Sequence, residues 1–157
     1  MALSIRSPAF GENEKIPDKF AKDGGNHSPE LIWSGAPEGT RSFALVVEDP
    51  DAPSGMFRHW AAYDIPGDRT SLREGEDSSV YGQGVNDFGN KGYDGPQPPR
   101  GHGLHHYHFR LAALDTDHVP GLSGDASAAK VWEKVQPHVI EEAETVGTYE
   151  TAMAPVG

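Results

Sequence analysis

Four of the eight histidines in this 157-residue chain fall within seven positions, as His102, His105, His106 and His108, with Tyr107 between them. Imidazoles at that density could ligate a metal, carry a proton or hold an anion. The run HHYHFRLAAL, residues 105–114, has strand composition, and a strand sorts its side chains by parity. His105, Tyr107, Phe109 and Leu111 then share one face, which is aromatic and apolar and turns inward. His106, His108 and Arg110 share the other, which is polar and wet. His106-x-His108 offers two ligands, but no carboxylate on this strand completes a facial set, so no metal is expected. The inward pair is different, because burying His105 or Tyr107 without a polar partner costs about 1–3 kcal/mol. Asp49 and His59 are the candidate partners. Asp49 closes one apolar run where a Pro-rich loop begins, and His59 opens the next. Two readings fit this set equally: a small polar pocket at the rim of a sheet, or a satisfied structural hydrogen-bond cluster. As a catalytic set it lacks an obvious nucleophile.

The elements that must position these residues are mostly strands. Ser42–Asp49, SFALVVED, is a nearly unbroken β-favouring apolar run, expected to be central with both faces covered. Asp49-Pro50-Asp51-Ala52-Pro53 stops it, since Pro cannot donate to a central ladder. Residues 59–65, HWAAYDI, form a second strand that turns at Pro66-Gly67. Residues 82–103 hold seven Gly and three Pro, a long loop that needs internal structure to offset its ordering entropy. Residues 126–136 read as the one good helix, with Asp125 as its cap, Trp132 and Val135 as its packing stripe, and Pro137 as its stop. A short helical turn and a strand over roughly residues 144–151 follow. No repeat or linker divides the chain, so residues 1–157 are expected to form a single, mainly β domain with one or two late helices.

Composition removes several function classes. Thirteen Lys and Arg against 24 Asp and Glu give a net charge of −11, which repels phosphate backbones and argues against nucleic-acid binding. With no Cys there are no disulfides, thiolate metal sites or Cys nucleophile. The opening MALSIRSP has no apolar h-region and no 18-residue apolar run occurs, so a cytoplasmic protein without membrane insertion is the expectation. Gly82-Gln83-Gly84 begins a dinucleotide fingerprint, but Asp87 stands where its third Gly belongs. Gly121-Leu122-Ser123-Gly124 misses a nucleophile elbow by one position.

Two spaced motifs carry a resemblance. Asp49-Pro50-Asp51-Ala52-Pro53 followed by His59-Trp60 resembles the first signature of the phosphatidylethanolamine-binding protein family. Gly95-Pro96-Gln97-Pro98-Pro99-Arg100-Gly101, then Gly103-Leu104-His105-His106-Tyr107, resembles its second. Asn26-His27-Ser28-Pro29-Glu30-Leu31-Ile32-Trp33 and Asn86-Asp87-Phe88-Gly89 are similar to the bacterial, Raf-kinase-inhibitor-like branch. The resemblance implies a large antiparallel sheet packed on a smaller one, with a pocket that takes phosphate, acetate, cacodylate or a phospholipid head group. By motif match the pocket is Asp49, His59, His105 and Tyr107, walled by Asp51, Gly95, Pro98 and Pro99. The expected function is binding of a small anion or phosphoryl ligand without catalysis or cofactor, with a regulatory role. A protonated His59 or His105 would supply positive charge, and a homodimer is implied by analogy with bacterial members. An inhibitor of a kinase or protease is the alternative, and a metal-independent hydrolase a further one. Two departures stand out. The family's usual Arg is His106 here, and the chain ends at Gly157 without the C-terminal helix that flanks the pocket in eukaryotic members, so a more open mouth is expected.

Overall fold

A computed structural model describes residues 2–76 and 80–151. The strands are β1 (Ser4–Arg6), β2 (Glu14–Lys15), β3 (Leu31–Ser34), β4 (Ser42–Asp49), β5 (Phe57–Pro66), β6 (Ser71–Leu72), β7 (Gly82–Gln83), β8 (His105–Leu114) and β9 (Val139–Tyr149). They build a three-stranded sheet, β1-β3-β6, and a six-stranded sheet, β2-β9-β8-β4-β5-β7. All pairs are antiparallel but one: β2 runs parallel to β9, through Glu14 opposite Gly147 and Lys15 opposite Thr148. The large sheet is therefore antiparallel with one parallel strand at its edge.

The central placement of β4 follows from its composition, and all eight of its residues are buried. Phe43, Leu45 and Val47 face the smaller sheet, in a core with Trp33, Trp60 and Phe109. Ala44 and Val46 face the other way, against Val131, Trp132 and Val135 of the helix α1 (Ala128–Val135). Each large apolar side chain so buried contributes roughly 1.5–3 kcal/mol. β8 keeps the parity expected of it: His105, Tyr107, Phe109 and Leu111 are buried, His106 is exposed, and His108 and Arg110 are half-buried. No helix among the described residues is long and apolar enough to cross a membrane.

The C-terminal boundaries differ from the sequence expectation. Helix α1 is capped by Ser127, whose hydroxyl accepts the Lys130 N–H at 3.1 Å, while the Asp125 carboxylate accepts the Ser123 hydroxyl at 2.7 Å. Two residues of the expected helix thus go to a turn and cap, and a 3-10 turn, Gln136–His138, carries its end. β9 begins at Val139, five positions before residue 144. Its start is rich in glutamates because alternate residues reach solvent, where Glu142 pairs with Arg110 at 2.9 Å.

Candidate functional site

Antiparallel pairing brings the end of β4 and the starts of β5 and β8 to one rim of the large sheet. A cavity of about 230 Å³ opens there, lined by Asp49, His59, His105, Tyr107, Pro98 and Pro99, together with Ala52, Pro53, Ser54, Phe57, Phe88 and Gln97. Its floor is a buried hydrogen-bonded pair, with His105 Nδ1 donating to Asp49 Oδ2 at 2.6 Å. The other carboxylate oxygen, Oδ1, accepts the Asp51 backbone N–H at 2.8 Å. His105 Nε2 lies 2.5 Å from Nδ1 of His102, an exposed residue of the preceding loop. Both nitrogens of His105 are therefore engaged.

His59 reaches this floor through a β-bulge. Val47 pairs with Trp60 and Glu48 with Arg58, so His59 has no partner residue on β4. In a regular strand His59 and Trp60 would face opposite sides. The bulge lets both turn toward the core, and the His59 ring meets Tyr107 edge-on at 5.2 Å, with Phe57 at 5.0 Å and Phe88 at 5.4 Å. His59 Nδ1 lies 2.9 Å from the Asp94 carbonyl oxygen. A carbonyl only accepts, so Nδ1 carries the proton. Burial holds the His59 pKa below its ordinary 6.5 against the opposing pull of the Asp94 carbonyl and Asp49. The imidazole is thus neutral at pH 7 and its Nε2 is an acceptor, so of the two imidazoles, His59 or His105, expected to supply positive charge, His59 does not.

Asp94 is itself clamped. Its carboxylate accepts side-chain amides from Asn26 at 2.8 Å, Asn86 at 2.9 Å and Asn90 at 2.8 Å. Burial pushes the carboxyl up, but the amide bonds outweigh it and hold the pKa below 3.8. Tyr107 has the opposite situation: its hydroxyl is buried and makes no well-formed hydrogen bond, with the Asp49 carboxylate beside it. Burial first, and Asp49 next, push its pKa up, so it keeps its proton and remains a donor.

Of the sequence-derived set, Asp49, His59, His105, Tyr107, Pro98 and Pro99 line the cavity together. Asp51 and Gly95 do not. The Asp51 carboxylate turns outward and accepts both the backbone N–H and Nδ1 of His106 at 2.8 Å, tying the 50–56 loop to β8. Burial raises the Asp51 pKa, but these His106 bonds outweigh it and leave it lowered. Gly95 packs behind the cavity: its N–H donates to Asn26 Oδ1 at 2.7 Å, and a Cβ there would lie 1.9 Å from the Phe20 carbonyl oxygen. Phe57, Phe88, Ser54 and Gln97, the amide clamp on Asp94, and His102 were not assigned roles from the sequence. Ala52 and Pro53 stood inside the first motif and could have been assigned from it. Among the described residues no three His, Asp or Glu side chains are grouped to hold a metal ion.

A large sheet covered on one face by a smaller sheet, with a cavity at the rim where its central strands end, is the architecture of a two-sheet β protein with a ligand-sized pocket. Residues 6–150 match the family described as phosphatidylethanolamine-binding protein, and the chain belongs to that family. A UPF0098 protein of Aquifex aeolicus is 42% identical over 151 residues, covering 94% of this chain and 88% of that one. The crystal structure of Escherichia coli YbcL, described as a member of the mammalian PEBP family, superposes with a TM-score of 0.90 at 35% identity, covering 96% of this chain and 99% of that one. A Mycobacterium tuberculosis protein whose name, LppC, classes it with lipoproteins is 37% identical over 150 residues, covering 94% of this chain and 72% of that one.

Proposed function

We propose that this protein binds a small ligand bearing an oxyanion or phosphoryl group in the rim cavity, without turning it over. The observation that carries the reading is the Tyr107 hydroxyl. A buried donor without a well-formed hydrogen bond is uncommon and costs free energy unless something outside the chain supplies the acceptor. The cavity in front of it provides the room, and the apolar walls of Pro53, Phe57, Phe88, Pro98 and Pro99 would strengthen a hydrogen bond made inside. Asp49 and His105, hydrogen-bonded to one another, then act as a fixed floor that orients the site.

Binding is favoured over hydrolysis by the state of His105. In an Asp–His–Ser relay the second imidazole nitrogen faces the nucleophile. Here that nitrogen faces His102, although Ser54 lines the same cavity. The proposal takes the cytoplasm as the setting of this chain. The lipoprotein name of the M. tuberculosis relative sets a membrane-tethered location beside it, and cell fractionation separates the two. Native mass spectrometry of freshly purified protein, followed by calorimetric titration with inorganic phosphate, tests the binding reading. A retained small acid or phosphoryl compound, or saturable 1:1 heat, is the expected result. Turnover of generic phosphate or ester substrates would contradict it.

A further inference from the structure

The hydrogen-bond inventory of the cavity restricts its ligand more narrowly than "anion". His59 has Nδ1–H committed to the Asp94 carbonyl, which leaves Nε2 as the lone pair of a ring that lines the cavity. Asp49 offers only carboxylate oxygens, already accepting from His105 and the Asp51 N–H. His105 donates Nδ1–H to Asp49, so when neutral its Nε2 is an acceptor, capped by His102. Against these acceptors the lining supplies one buried side-chain donor without a well-formed hydrogen bond, the Tyr107 hydroxyl beside Asp49, and at the exposed mouth the Ser54 hydroxyl. A fully deprotonated tetrahedral anion would satisfy Tyr107 and press its remaining oxygens against lone pairs. A ligand that also carries an O–H would give Tyr107 an acceptor and His59 a donor together.

We propose that the cavity selects a singly protonated phosphoryl group, a P–O–H beside a P–O⁻, over an equally charged oxyanion without a proton, with His59 Nε2 as the discriminating acceptor. The inference rests on the oxyanion-binding reading and adds the protonation state of its ligand. The surroundings of His59 suit this role. Phe57, Phe88 and Tyr107 enclose the ring, Asp49 and Asp87 are the carboxylates that act on it, Asp87 being held by the Arg58 N–H, and the Asp94 carboxylate is turned away into its three amides. Sites built to hydrogen-bond a ligand hydroxyl reject analogues that lack it, because their own polar groups are left unpaired.

Methylphosphonate and methanesulfonate make the test direct. They are nearly isosteric, and at about pH 7, where His59 is neutral, each carries about one negative charge while only the phosphonate keeps an O–H. An alkylphosphonate loses its second proton later than a phosphomonoester, whose second ionisation lies at about 6. Calorimetric titration of the wild-type protein with both is the experiment. Methylphosphonate is expected to bind at least about 10-fold tighter, as a single good hydrogen bond to a buried acceptor gives. His59→Phe, which suits the aromatic enclosure, should bring the ratio to about one, whereas Tyr107→Phe should weaken both ligands together and leave the ratio standing. Equal affinities in the wild type, or tighter methanesulfonate, would overturn the protonation rule and leave oxyanion binding in place. No saturable heat from either would overturn the binding reading and this inference with it. A near-UV circular dichroism spectrum matching wild type establishes that His59→Phe is folded. If it is not, the wild-type ratio alone decides.

Discussion

His59 and Tyr107 line one cavity but need opposite partners, and the cause lies in what each already holds. His59 spends its proton on the Asp94 carbonyl, while the Tyr107 hydroxyl makes no well-formed hydrogen bond. The same contrast sets the pH response. A histidine whose folded pKa lies below its unfolded value of about 6.5 takes up its proton more readily when unfolded. Its contribution is therefore complete above that value and is lost as pH falls through it toward the folded pKa. The thermal midpoint should fall as pH drops from about 6.5 to 5, and His59→Phe should flatten that arm of the profile. Midpoints by circular dichroism at several pH values check it, and an unchanged slope would count against a neutral, buried His59. Asp94 acts lower on the scale. Its carboxyl is held below 3.8, so its contribution is present above that value and drains away as pH falls below it. Asp94→Asn puts an amide against the Asn26, Asn86 and Asn90 amides and should cost about 1–3 kcal/mol at pH 7. It should also lose less stability than wild type on acidification, as paired denaturant titrations at pH 7 and pH 3.5 would show.

At the scale of elements, what could be read from the chain depended on periodicity. The parity of β8 was legible because H-H-Y-H-F-R-L alternates under a period of two, and it placed His105 and Tyr107 inward and His106 outward as found. The bulge in β5 was not legible: it reverses parity between His59 and Trp60, and no residue pattern marks it. His59 was placed by its strand-end position instead. The Asp94 clamp escaped because its partners lie as far as 68 positions away, joined only by the folded chain. The helix is capped by Ser127 and not by the Asp125 expected from the sequence, and this gives a clean comparison. Ser127→Ala should destabilise by about 1 kcal/mol and Asp125→Ala by much less, since only Ser127 accepts a helix N–H. Equal costs in chemical denaturation would return the cap to Asp125. Gly95 illustrates a motif residue kept for space. Gly95→Ala should destabilise severely, because its Cβ would have to displace the backbone of Phe20.

For the whole molecule, the −11 charge and the local site act over different ranges. Salt screens surface charge beyond about 8 Å, so the acidic exterior is compatible with the anion binding proposed for the cavity. The fold takes its stability from two apolar layers on either side of β4. Chelators should therefore leave the thermal midpoint within about a degree, and a larger loss accompanied by stoichiometric metal would show that the His cluster had been misjudged. The Tyr107 hydroxyl adds little to this stability when the site is empty, because the ring packs in the core while the hydroxyl makes no well-formed hydrogen bond. That separation makes ligand-induced stabilisation the most direct test of the central claim, since a ligand that binds only the folded state raises its stability by RT ln(1 + [L]/Kd). The measurement is thermal unfolding of wild type and Tyr107→Phe, each with and without inorganic phosphate. Wild type should gain stability with phosphate concentration, whereas Tyr107→Phe, as stable as wild type or more so without ligand, should lose most of that gain. An equal phosphate shift in both proteins, or a Tyr107→Phe variant that is markedly less stable unliganded, would contradict the assignment of Tyr107 as the donor that the ligand completes.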